Sequence, residues 1–229
     1  MTIPNLISNY KEKETIIKLK KIYSIMSQAY IFASEEHGTP DMWGITGRDA
    51  ASNNNDEEHR ATNAILIKNK LFANVKSVLT CDNAKNQKNC GFADKYIYKD
   101  GSIDRGISGS SSQTTSLTTI DGTSIMIIAT GGGDGAVRRG YGPLETTYGI
   151  IYIDTNGVKP PNKYGNDLFL FYITGSNITP MGSELETTYP FYPYCYNKGL
   201  GCTAWVLKKE NMEYLKCRNL NWNGKSTCK

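Results

Sequence analysis

Residues 3–36 impose the tightest constraint on what this chain can become. Leu6, Ile7, Tyr10, Ile16, Ile17, Leu19, Ile22, Tyr23, Met26, Ala29, Tyr30 and Ala33 follow one another mostly in steps of three and four, the repeat that lines one face of an α-helix. Pro4 falls in the first turn, where proline is tolerated, and Gly38 with Pro40 ends the pattern. A helix of roughly 34 residues is about 50 Å long. A small domain does not cover such a rod completely, so the spacing predicts a helix that runs beyond its own body. The lysines between Lys11 and Lys21 are interleaved with Glu12, Glu14 and isoleucines and read as its solvated face.

The body must come from the chain beyond Gly38. There are 229 residues in all, enough for one ordinary domain with its own core, or for a helix plus a head. Asp56 is placed to cap a second helix predicted over 57–79, with Ile65, Leu66, Leu71, Phe72, Val75 and Leu79 as its apolar stripe. Short strands are then expected at 96–98, 148–153 and 168–174. Residues 117–120 and 124–129 read as a β-hairpin across Asp121-Gly122. Helices first and about four mostly antiparallel strands afterwards make an α+β fold rather than an alternating α/β one. The division expected is an N-terminal helix over 1–38 and a head domain over 39–229. A net charge of +4 with no concentrated basic face argues against a dedicated nucleic-acid binder.

Six cysteines stand at 81, 90, 195, 202, 217 and 228. They include no CxxC pair and no histidine at zinc-finger spacing, which disfavours a structural zinc site. Disulfides in an oxidising compartment are the simpler reading, and Cys81 and Cys90 would close a short polar loop. Yet no stretch of the sequence reads as a secretory signal, and no apolar run approaches 18 residues. Export and the absence of an export signal conflict.

Three stretches bear on that conflict: MTIPNLISNY at the start, YIDTNGVKPPNKYGNDLFLFYI in the later middle and GCTAWVLKKENMEYLKC near the end. Together they resemble the type IV pilin and type II secretion pseudopilin superfamily, whose members carry a prepilin cleavage and methylation signal. The resemblance covers both ends and the late middle; residues 39–116 match by position and topology. It implies a pilin-like fold, a long N-terminal helix packed on an antiparallel sheet, with a disulfide-bonded C-terminal region. It implies the pairs Cys202–Cys217 and, by remainder, Cys195–Cys228, although the residues alone leave the last four cysteines open. The basic leader, Gly-Phe junction and apolar half-helix of a prepilin are missing here. The resemblance therefore implies that Met1 is internal to a longer precursor, anchored in the inner membrane before assembly.

The function so implied is a non-enzymatic filament subunit of a pilus or pseudopilus, periplasmic or extracellular. Its partners would be other pilin or pseudopilin subunits and the assembly or secretion machinery, with Leu6, Ile7 and Tyr10 as exposed assembly contacts. The alternative is a minor pilin that binds a surface, a secreted substrate or DNA; an enzyme would need converging titratable groups in a cleft.

The best candidate for a ligand site is DTNGVKPPNKYGND, residues 154–167. Asp154, Asn156 and Asp167 are hard oxygen donors of the kind calcium takes, but no glutamate stands at the twelfth position of an EF-hand. An Asx turn stiffened by Pro160 and Pro161 is the competing reading. The glycine-rich stretch 131–142 lacks the Lys-Ser or Lys-Thr and the following helix of a phosphate loop. Arg138 and Arg139 within it read as solvated. His37 and His59 are isolated and read as surface residues. The tyrosine-rich segment 187–196 either packs the tail over the sheet or forms an adhesive patch; packing is the expectation.

Overall fold

The computed structural model describes residues 3–46, 56–82, 87–104, 107, 114–130 and 136–228. Parts of four stretches expected as loops lie outside them: 47–55, 83–86, 108–113 and the glycines of 131–135. Helix α1 spans Ile3–His37 and α2 spans Asp56–Leu71. The strands are β1 (Ser77–Cys81), β2 (Tyr96–Ile97), β3 (Ile103–Asp104), β4 (Thr114–Thr119), β5 (Ser124–Ala129), β6 (Thr147–Asp154), β7 (Leu168–Thr174) and β8 (Ile178–Pro180). A short helix α3 (Thr203–Lys209) precedes the tail. Six strands form one antiparallel sheet in the order β1-β4-β5-β6-β7-β8, and β2 pairs with β3 alone. The α+β architecture, the long first helix and the disulfide-bonded tail agree with the expectation.

Side-chain alternation builds two layers of core. Ile125 and Ile127 of β5, Ile151 and Ile153 of β6, and Phe169, Phe171 and Ile173 of β7 face the helices. There they meet Leu19, Ile22 and Met26 of α1 and Ala64 and Ile67 of α2, each 3% exposed or less. Met126, Leu168, Leu170 and Tyr172 point to the other face and are covered by Phe92, Tyr96 and Tyr164. Both faces of β7 are thus buried along its whole length, which is why LFLFYIT is a continuous apolar run rather than an alternating one. The expected hairpin over Asp121-Gly122 forms, with Thr118 opposite Ser124 and Gly122 at φ +81°.

Two expectations need correction. The second helix ends at Leu71, eight residues before the predicted end. Phe72 and Val75 pack on the core, but Ser77–Cys81 is a strand paired with β4. Val78 and Thr80 are β-branched, and Cys81 is tied to Cys90, so this stretch joins the sheet edge and Leu79 is 37% exposed.

The bridges of the last four cysteines are Cys195–Cys202 and Cys217–Cys228, not Cys202–Cys217 and Cys195–Cys228. Gly199 and Gly201, at φ +80° and +71°, let the chain reverse between Cys195 and the start of α3. The returning tail brings Cys228 to Glu213, whose carboxylate accepts its N–H at 3.0 Å. Every bridge is therefore local, including Cys81–Cys90, which forms as expected. The aromatic segment packs: Phe191 stacks on Trp205 with ring centroids 4.3 Å apart, and only Tyr192 of its large side chains stands well out. Gly182, at φ +89°, fits against this reversal because a Cβ there would lie 1.8 Å from the Gly201 carbonyl oxygen.

Helix α1 leaves its first turns unpacked. Among the described side chains Ile16 is the first buried one, while Leu6, Ile7 and Tyr10 are 60%, 51% and 70% exposed. No described helix is long and apolar enough to cross a membrane.

Candidate functional site

The free end of α1 and the β6–β7 connection meet at one place. Residues 154–167 fold back between the two longest strands, and the turn is tied from both ends. Asp154 closes β6 and is fully buried. One of its carboxylate oxygens accepts the Tyr96 O–H, and the other accepts the Asn156 N–H at 3.0 Å. This is an Asx turn of the kind read from the sequence. Asp167 ties the other end, its two oxygens accepting the Asn162 N–H at 2.8 Å and the Lys163 N–H at 2.6 Å. The Asn156 amide donates to the Pro160 carbonyl at 3.3 Å.

Burial dominates the electrostatics of the turn. Loss of water pushes the Asp154 carboxyl up to about 7, against the bonds from Tyr96 and the turn amides, and the Asp167 charge adds to the rise. Burial raises Asp167 as well, with the Lys163 and Asn162 amides opposing it. Two further buried carboxylates are also held by tyrosine hydroxyls. Asp104 accepts from Tyr98 at 3.1 Å and Tyr164 at 2.5 Å. Glu186 accepts from Tyr172 at 2.6 Å and from the N–H groups of Gly182 and Tyr189. Sequence spacing does not single out either residue.

Asp154, Asn156 and Asp167 are brought together as expected, but their donor atoms are spoken for. Calcium takes six to eight oxygens. Here all four carboxylate oxygens face hydrogen-bond donors of the chain, and the unpartnered oxygens are the neutral Oδ1 atoms of Asn156 and Asn162. Among the described residues no three His, Cys, Asp or Glu side chains are placed to hold a metal. The arrangement fits a hydrogen-bonded turn better than a cation cage.

Against this turn lies a cleft of about 530 Å³, walled on one side by Ser8, Lys11, Thr15 and Lys18 of α1 and on the other by Asn156, Lys159 and Asp167. Around it the ion pairs are Lys18–Glu14 at 3.1 Å, Lys216–Glu12 at 2.9 Å and Lys21–Asp121 at 2.6 Å. The outward face of α1 is a second feature. Tyr10, Ile17 and Ile31, separated by seven and fourteen residues, share the side turned away from the sheet, and Ile17 and Ile31 are 67% and 56% exposed. The sequence pattern assigns Ile17 to the apolar stripe. It sits instead one residue past the buried Ile16, about 100° around the helix.

The remaining candidates are peripheral. His59 Nε2 lies 2.8 Å from the Thr46 carbonyl oxygen, and His37 lies 3.8 Å from Glu36. Arg138 pairs with Glu145 at 3.9 Å over the Tyr141 ring.

No curated protein and no solved structure matches this chain. Residues 5–228 match the model of a family of unknown function, DUF6613, and with that span, which takes in the free helix, the sheet and all three bridges, the chain belongs to that family.

Proposed function

We propose that this protein is a non-enzymatic structural subunit that assembles with copies of itself or related chains through α1, in the manner of a type IV pilin or type II secretion pseudopilin. The observation that carries the reading is the helix itself. It is 35 residues long, its inner face is packed into the head from Ile16 onward, and its outer face presents Leu6, Tyr10, Ile17 and Ile31 to solvent. Large apolar side chains gathered along one solvated helix face suit an interaction surface, and positions seven and fourteen residues apart return to nearly the same side of a helix. Three disulfides fit work in the periplasm or outside the cell. The head then serves as the surface of the assembly and the helix as its spine.

Site-specific photo-crosslinking from Ile17 and Ile31 in the producing cells tests this. Adducts at multiples of the chain's mass are expected. Adducts to an unrelated protein alone, or none, would overturn the assembly reading.

A further inference from the structure

Strand β1 forms one edge of the six-stranded sheet, and each residue from Ser77 to Thr80 is exposed, Val78 to 66%. The register shows which main-chain groups face outward. Thr119 donates its N–H to the Thr123 carbonyl across the hairpin at 2.9 Å, so its groups point toward β5. Thr118, the next residue, turns the other way, toward β1, where it stands opposite Leu79. Leu79 is thus engaged with β4, and Thr80 turns its N–H and C=O away from the sheet. Val78 is the extra residue at the bulge and has no partner in β4. Among the described residues no other segment's main chain bonds to Val78 or Thr80.

An open edge is a template for another strand, and proteins ordinarily blunt it with a charge, a proline or a bulge. The opposite edge, β8, ends in Pro180. Strand β1 has its bulge, but Ser77–Cys81 holds neither a charge nor a proline. Charges stand just outside it, Lys76 before and Asp82 after. Lys76 has no carboxylate partner among the described residues, and Asp82 is mostly exposed beside Lys68 of α2. This stretch is complementary to itself in one register. Laid antiparallel to a second copy about Leu79, Val78 of each strand meets Thr80 of the other, so their outward groups can bond. The two Leu79 side chains meet between them, at the non-hydrogen-bonded position where facing side chains stand closest. Lys76 and Asp82 each lie three residues from Leu79, so they face one another at both ends. A shift of two residues in either direction parts both charge pairs.

We propose that β1 pairs antiparallel with β1 of a second copy of this chain, joining two six-stranded sheets into one across a two-fold axis at Leu79. Lys76 and Asp82 set the register, and each Asp82 lies between Lys68 of its own chain and Lys76 of the other. The contact is isologous and small, so the pair is weak and depends on concentration. Its axis is normal to the sheet and reverses α1 in one copy. It is therefore separate from association through α1 and does not require that the chain form filaments.

The test is sedimentation equilibrium of the full chain over a range of concentrations, in a background of Ile17→Asp so that contacts of the outer helix face do not contribute. A monomer–dimer equilibrium is expected, with amide exchange slowed at Val78 and Thr80 in the dimer. Lys76→Glu and Asp82→Lys should each weaken it about tenfold, since each sets like charges face to face at both ends. An equimolar mixture of the two variants restores both opposite-charge pairs and should dimerise about as well as the parent. A parent that stays monomeric at its highest soluble concentration, or a mixture that pairs no better than either variant alone, would overturn the proposal. Photo-crosslinking from Val78 in the producing cells that gives adducts to a different protein and no dimer would assign the edge to another chain and overturn the second copy as its occupant.

Discussion

Asp154 keeps its carboxyl where water does not reach, with Tyr96 on one oxygen and the turn on the other. Replacing Tyr96 by Phe leaves that oxygen buried and unpaired, and a loss of about 1–3 kcal/mol is expected by urea unfolding. The pH response has a definite sign. The carboxyl is raised from 3.8 to about 7 in the fold, so its favourable contribution is full below about pH 4 and gone above about pH 7. The span is worth about 4 kcal/mol at most. Asp154→Asn, which mimics the protonated group, should flatten this part of the stability profile; an unchanged slope between pH 4 and 7 would refute the assignment. Asp154, Asn156 and Asp167 were legible as a cluster because their residue types and turn context sit close together in sequence. The partner that decides what Asp154 does is 58 residues away, and local pattern carries no trace of it. Asp104 and Glu186 were illegible because nothing in the spacing marks a tyrosine 6, 60 or 14 residues away as a partner.

Helix α1 shows how neighbouring positions separate stability from association. Leu19 is fully buried against the sheet, and Leu19→Ala should cost about 2–5 kcal/mol. Ile17, two residues away, is mostly exposed. Ile17→Asp should shift stability by no more than about 0.5 kcal/mol while abolishing the crosslinked multimers; a large fall in its melting temperature would show that the outward face packs on the head instead. The helix and the Asp-Gly hairpin were readable because periodicity and turn chemistry are local. Strand β1 was not, because Val75 and Leu79 continue the helical spacing of α2 by coincidence, and the edge of the sheet and the Cys81–Cys90 bridge decide the matter. The placement of the chain just before α3 was equally hidden. It depends on the close approach of Gly182 to Gly201, and Gly182→Ala should destabilise by more than about 1 kcal/mol, through a clash and a positive φ together.

Across the whole molecule four acidic groups pull stability in two directions. Asp154, Asp167 and Glu186 are raised by burial and favour the fold as protons are added. Asp121 is pulled the other way: burial opposes ionisation, but Lys21, Thr119 and Thr123 hold it well below the usual range, so its contribution is lost on acidification through that range. A melting-temperature profile that peaks at mildly acidic pH, falling toward pH 8 and again below about pH 4, is the expected result. A steady rise from pH 4 to 8 would contradict it. The overall class, helix then antiparallel sheet then bridged tail, was legible because each part has its own composition. The pairing of the last four cysteines was not, since four equivalent thiols allow three pairings and only the folded reversal at Gly199 and Gly201 selects one. That selection has a consequence for biogenesis. Cys81 pairs with Cys90, Cys195 with Cys202 and Cys217 with Cys228, so each thiol joins the next one along the chain. A polypeptide threaded N-terminus first into an oxidising space can close every bridge as its second thiol emerges. No early cysteine has to wait for a distant one, and a thiol oxidase that acts on consecutive pairs leaves nothing for an isomerase to repair.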